Sequence, residues 1–184
     1  MAKEIRDPAF FTQPAVELAQ ALLGKVICHK VHDNPEKPDE YFIIKGRIIM
    51  TEAYPFDDPA NDSVRYSIET SQNLAGGHLY VCHDGGENYW RFDIVSNQVG
   101  VSESVLVRGI DPYGSAPNNS LWAMDFDDTH DGIDLITSKD IWLEDDRITI
   151  TTKEPCRRNG LSPDLSEECR KKPLCFSVKS IEYK

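Results

Sequence analysis

The 184-residue chain has no Cys-x-x-Cys pair, and its five cysteines (Cys28, Cys82, Cys156, Cys169 and Cys175) are odd in number. That argues against a disulfide framework and against a zinc ribbon. The expectation is free, buried thiols. No apolar run approaches the roughly 18 residues that a membrane-spanning helix requires, and the opening MAKEIRDPAF has no apolar core of a secretory signal. Repeats, linkers and low-complexity blocks are also missing. Positive charge is scarce: 20 Lys and Arg against 31 Asp and Glu give a net charge of −11, which disfavours avid, sequence-independent binding to nucleic acid. These absences leave one soluble intracellular domain over residues 1–184, cytoplasmic in a prokaryote or nuclear in a eukaryote. No cofactor, no metal and no membrane partner is expected. The nearest approach to a metal ligand set, His78 and Cys82 on one strand face, matches zinc-site spacing poorly.

The charge that is present is unevenly spread. Residues 153–184 carry eight basic groups against five acidic ones, a balance of +3 that leaves −14 for the rest. A polyanion would meet this tail first, and Arg157, Arg158, Arg170, Lys171 and Lys172 are its candidate contacts. Upstream, FFTQPAVELAQALLGK reads as a helix, with Thr12 as cap, Pro14 in the first turn and Gly24 at the end. KVICHKV, YFIIKGRIIMTEAY (bent at Gly46), HLYVCHD, ENYWRFDIVS, ESVLVRGID, DIWLEDDRITITT (one strand or two short ones) and LCFSVKSIEY read as strands. Residues 117–126 read as a helix, and 55–77 as a turn-rich stretch. Many strands and few helices predict an α+β domain built on a curled, mainly antiparallel, barrel-like sheet with a few packed helices. One detail is costly. The apolar strand IIMTEAY carries Glu52 near its end, and a buried carboxylate needs partners. Either Glu52 sits on the solvent face, or the fold holds it there for chemistry.

Several segments resemble, in collinear order, the alkyladenine (3-methyladenine) DNA glycosylase family. FFTQPAVELAQALLGKVI is similar to the family's opening helix and strand, and GRIIMTEAY to its Thr-Glu-Ala-Tyr element. DDPAND is similar to its Asp-Pro-Ala-Ser-His turn, GGHLYV to its Gly-x-x-Tyr-Val strand, and VLVRGIDP to its Val-Leu-Ile-Arg-Ala-x-Glu-Pro segment. HDGIDL followed by IWLED, and RNGL followed by KKPLCFSV, complete the series. The resemblance implies a monomeric, monofunctional glycosylase that flips a damaged purine out of single- or double-stranded DNA and hydrolyses its N-glycosidic bond. It implies that Glu52 activates the attacking water, that Arg108 helps hold it, and that Leu161 marks the third water contact. Tyr54 would stack on the flipped base. Such chemistry requires a carboxylate beside a sugar that develops positive charge, and an aromatic face for the base. Glu52 and Arg108 are then expected to be neighbours with room for one water, and Arg108 is expected to depress the Glu52 pKa.

The chain departs from that family where the base and duplex are held. Asp62, or Asn61, stands at the turn histidine, Cys82 at a second stacking aromatic, and Gly85 at the intercalating tyrosine. The purine-reading asparagine falls on Phe92 or Asp93. Stacking contributes roughly 1–3 kcal/mol per base, and glycine cannot wedge into a stack. A glycosylase of altered specificity is therefore weighed against a catalytically weak nucleobase-binding module and against a protein-interaction domain on the same fold.

Overall fold

In the computed structural model, which describes residues 2–32, 36–37, 39–61, 74–83 and 90–183, the spine is a 13-residue strand. β1 (Lys3–Glu4), α1 (Pro8–Phe11), α2 (Ala15–Ala21) and β2 (Val26–Val31) precede that spine, β3 (Phe42–Tyr54). β4 (Leu79–His83), β5 (Trp90–Ser96) and β6 (Glu103–Asp111) follow, then α3 (Pro117–Ala123) and a 3-10 turn, Asp128–His130. β7 (Ile141–Asp145), β8 (Thr149–Thr152), α4 (Glu167–Lys171) and β9 (Cys175–Glu182) close the order. The sheet runs β1-β7-β2-β3-β6-β5-β4, and every paired strand is antiparallel.

β3 curls the sheet because its two halves have different neighbours on one side. Phe42–Arg47 pairs with β2, whereas Met50–Glu52 pairs with β9, whose far end carries β8. The changeover coincides with a shift in register against β6: Ile48 faces Ile110, Met50 faces Gly109 and Thr51 faces Val107. Ile49 is thus extra on β3 and Arg108 is extra on β6, and such bulges bend strands and increase their twist. The irregularity expected at Gly46 therefore lies three residues later. Gly46 keeps regular pairing with Ile27, and it is required because a Cβ there would collide with the Ile110 side chain.

Alternation sorts β3, β5 and β6 into two faces. Thr51, Ala53, Phe92, Ile94, Val105 and Val107 are all fully buried; the apolar members join the main core with Leu18, Leu22 and Leu121 from the helical segments. The Thr51 hydroxyl donates to the Ala19 carbonyl at 2.8 Å, fixing β3 to α2. The opening helix proves to be two. Asp7 caps α1, Thr12 closes it, and Pro14 stands at the N-cap of α2 without a side-chain bond. Glu103 supplies that cap from β6, its Oε2 accepting the Ala15 N–H at 2.8 Å. DIWLEDDRITITT is two strands, separated by Arg147 at φ 57°. β1 and α4 are too short for a sequence period to reveal.

Candidate functional site

The other sheet face carries the polar row. Register aligns Cys175, Glu52, Leu106, Asp93 and Tyr80 across β9, β3, β6, β5 and β4, and residues directly opposed share a face. Glu52 is thus on neither a solvent face nor in the apolar core, and its exposure is 0%. It is heavily partnered. Its Oε1 lies 3.3 Å from Arg108 Nη1 and accepts the Asn159 N–H at 3.1 Å. Its Oε2 accepts the Tyr54 hydroxyl at 3.1 Å. Glu52 and Arg108 are neighbours, as expected, and the bulge makes them so: Arg108 is the unopposed residue of β6, which frees its side chain to aim at Glu52.

The electrostatic expectation needs correction. Burial pushes the Glu52 carboxyl up by more than Arg108, the Asn159 amide, the Tyr54 hydroxyl and Arg158 pull it down, so its pKa is raised. Attraction to Arg108 is present, but desolvation outweighs it.

Residues 157–161 also reach the site, through the Asn159 amide. Arg158 is 3% exposed. Its Nη2 binds both oxygens of Asp58, at 2.9 and 3.0 Å, and its Nη1 donates to the Ala53 carbonyl at 3.0 Å. The guanidinium carbon lies 4.7 Å from the centre of the Tyr54 ring. Asp58 also accepts the Ala60 N–H at 2.8 Å and a bond from Lys172 Nζ at 3.3 Å. Burial pushes Asp58 up, but the Ala60 amide, Arg158 and Lys172 outweigh it and hold its pKa below the ordinary value. The buried pair therefore fixes the segment whose next amide, Asn159, reaches Glu52.

This changes the reading of the basic tail. Arg158 does not reach the surface as a phosphate contact, because Asp58 and Tyr54 hold it inside. Lys172 is half-buried against Asp58. Arg157 is exposed. Arg170 is exposed, its Nε donating to the Leu165 carbonyl, and Lys171 is exposed beside Glu167. Leu161 is placed by packing, its side chain lying with Tyr54, Ala60, Leu106 and Cys169. The contact from its segment to Glu52 is the Asn159 amide.

Tyr54 is 7% exposed, one ring face carries Arg158, and burial pushes its hydroxyl pKa up. Cys82 is buried with Tyr80 and Val95. Of the two positions expected for the purine-reading residue, Phe92 lies in the main core and Asp93 on the site face. Asp93 accepts the Ser104 hydroxyl at 2.7 Å, with Arg91 Nε 3.6 Å away. The Asn61 amide donates to the carbonyls of Tyr54, Pro55 and Ser102 at 3.1, 2.9 and 2.8 Å, so it ties the β3 end to the start of β6. Asp62 and Gly85 lie outside the described residues. Sequence reasoning missed Asp58 and Asn159 as parts of the site. The acidic turn after a strand ending in Glu-Ala-Tyr was a usable hint, but nothing in the sequence pairs Asp58 with a residue 100 positions away.

Comparison with known proteins points the same way. The family model for methylpurine-DNA glycosylase (MPG) matches residues 9–120. A relative from Chlorobaculum tepidum, provisionally named a 3-methyladenine DNA glycosylase, is 37% identical over 106 residues, covering 56% of this chain and 47% of its own length. One from Prosthecochloris aestuarii with the same provisional name is 35% identical over 115 residues, covering 61% and 50%. A third, from Francisella tularensis, is 33% identical over 101 residues, covering 53% and 47%. The chain spans about half the length of the curated relatives it matches. Glu52, Tyr54 and Arg108 fall inside the matched family segment, and residues 157–161 fall after it.

Proposed function

The chain belongs to the methylpurine-DNA glycosylase family, and from that premise we propose that it is a hydrolytic DNA glycosylase that removes damaged purines, with Glu52 as the base. The observation that carries this reading is the partnering of Glu52. A carboxylate has roughly four acceptor positions. Arg108 and Asn159 occupy the two on Oε1, and the Tyr54 hydroxyl occupies one on Oε2. The remaining position on Oε2 takes the attacking water.

In the proposed reaction the glycosidic C–N bond breaks and its electron pair leaves with the base. Positive charge develops on the sugar, and the Glu52 carboxylate stabilises it. Water oxygen then bonds to the sugar carbon while its proton passes to Glu52. The raised pKa of Glu52 suits a base that must both take and release that proton. Arg158 lies over the Tyr54 ring, which is 7% exposed and clustered with Ala60, Leu106 and Cys169, so Tyr54 serves as a packed wall beside Glu52. Substrate choice differs from that of an aromatic-lined pocket, because Cys82 and Asp93 stand on this face of the sheet. A carboxylate acceptor favours a base edge that presents N–H groups.

The test is a panel of oligonucleotides, single- and double-stranded, each carrying one damaged purine. The wild type releases base from at least one member, and Glu52→Gln releases none while melting as a folded protein. A Glu52→Gln variant that keeps most of the wild-type rate removes Glu52 from the mechanism.

A further inference from the structure

We infer that Cys156 and Cys175 form a reversible disulfide site that closes the base of residues 157–174 and thereby controls the hold of that segment on Glu52. The two residues form an isolated antiparallel bridge in which each N–H donates to the other's carbonyl, both at 2.9 Å. In such a hydrogen-bonded pair the Cα atoms are about 5.5 Å apart, inside the roughly 4.4–6.8 Å window of disulfides. Opposed side chains share a face, so the two thiols lie on the same side of the bridge. Cys156 is exposed and Cys175 is fully buried. The remaining cysteines, Cys28, Cys82 and Cys169, are buried.

The location gives the pair a consequence. Cys175 is directly opposite Glu52 in the β3–β9 register. Two residues after Cys156 comes Arg158, clamped on Asp58, and then Asn159, whose amide donates to Glu52. A covalent bond at this point tethers the segment to β9 one residue from where it turns into the site.

The oxidant is a peroxide. The exposed Cys156 sulfur, as thiolate, attacks a peroxide oxygen, the O–O bond breaks, and hydroxide leaves and is protonated to water. The Cys175 sulfur then attacks the Cys156 sulfenic acid, the S–O bond breaks, and water leaves with the Cys175 proton. Two electrons from the two thiols reduce one peroxide to two waters. Burial pushes the Cys175 thiol up to about 12, consistent with Cys156 reacting first. A disulfide with one exposed end is of the labile, readily reduced kind.

The experiment treats the full chain with hydrogen peroxide and maps thiols by differential alkylation and peptide mass. The expected result is a Cys156–Cys175 linkage that lowers the mass by ~2 Da and is reversed by dithiothreitol. Hydrogen exchange at the Asn159 amide should slow several-fold in the oxidised chain. Cys156→Ser changes an exposed side chain and keeps the fold, so it should show neither linkage nor slowed exchange. Cys156 oxidised to sulfinic acid in the wild type with Cys175 still open to alkylation after unfolding overturns the proposal. Linkage without any change in Asn159 exchange overturns its connection to Glu52. Neither readout depends on glycosylase activity, so the outcome stands apart from the functional reading above.

Discussion

Removal of Asp58 is the sharpest perturbation this structure offers. Its side chain is 1% exposed and faces an Arg158 side chain that is 0% exposed. Asp58→Ala leaves that guanidinium in the interior with the Ala53 carbonyl, the Cys169 sulfur and the Tyr54 ring as contacts. Breaking one side of a buried pair costs about 3–5 kcal/mol, chiefly because an uncompensated charge stays buried. The Lys172 contribution is small by comparison, since its side chain is 40% exposed and such pairs are worth about 0–1 kcal/mol. For a chain of this length each kcal/mol lowers the melting temperature by about 2–4 °C, so the expected fall is about 6–20 °C.

The assay is thermal and urea unfolding by circular dichroism at neutral pH, run on a four-member cycle. Arg158→Met should cost less than Asp58→Ala, because Asp58 keeps the Ala60 amide, Lys172 and the Cys169 thiol. The double variant Asp58→Ala/Arg158→Met buries no charge and should be more stable than Asp58→Ala alone, which is the mark of direct coupling. If Asp58→Ala costs under about 1 kcal/mol, or if the two single effects add, the pair does not clamp residues 157–161.

Three further outcomes are expected. The acid limb of the rate against pH should lie above 4.5, because burial raises the Glu52 carboxyl from that value, and Arg108→Met should move it higher still by removing an attraction that lowers it; a limb at or below 4.5 in the wild type argues against Glu52 as the base. Glu103→Ala should cost about 1–2 kcal/mol in urea unfolding, the range for a lost helix cap, since it strips the acceptor from the Ala15 N–H and the Phe56 N–H; a change within experimental error means that α2 needs no borrowed cap. Duplex binding should be weak and salt-dependent, with Arg157→Ala, Arg170→Ala and Lys171→Ala each lowering the salt slope by about one; Arg158→Met should leave the slope alone, and a drop there would mean that Arg158 leaves Asp58 to meet phosphate.

What was legible in the sequence was whatever repeats locally. Period-two runs located most of the strands. The adjacency of Glu52 and Arg108 was implied by the family resemblance of their two strand segments, and the structure shows both residues on paired strands. What was hidden depends on partners distant in sequence. Charge counting put Arg158 with the surface cations, because composition records that a charge exists and not what neutralises it. The raised Glu52 pKa was hidden for a similar reason: a neighbouring arginine is visible in a motif, whereas the loss of water around a carboxylate appears only once the sheet is covered on both sides. The bulge that releases Arg108 leaves no residue signature either, since it is a mismatch between two strands and belongs to neither.

Glu52 and Asp58 are six positions apart, both are buried, and their pKa values move in opposite directions. The difference lies in their partners. Asp58 has Arg158, Lys172 and the Ala60 amide, enough to outweigh desolvation. Glu52 has Arg108 at 3.3 Å, one amide and one hydroxyl, which are not enough. Linkage turns this into opposite slopes of stability against pH. Between its lowered value and 3.8, Asp58 is ionised in the folded chain and protonated in the unfolded one, so stability rises with pH there. Between 4.5 and its raised value, Glu52 is protonated in the folded chain and ionised in the unfolded one, so stability falls as pH rises. Glu52→Gln has no such proton to lose. Its stability relative to wild type should therefore grow as pH climbs from 4.5 through the raised value and level off beyond it. Asp58→Asn, compared in the same way, should lose ground to wild type as pH climbs towards 3.8. Urea unfolding across pH 3–8 measures both differences. A Glu52→Gln difference that stays flat or shrinks with rising pH would show that the Glu52 carboxylate is fully stabilised in its charged form, and the fold would then be storing no proton-accepting drive at this position.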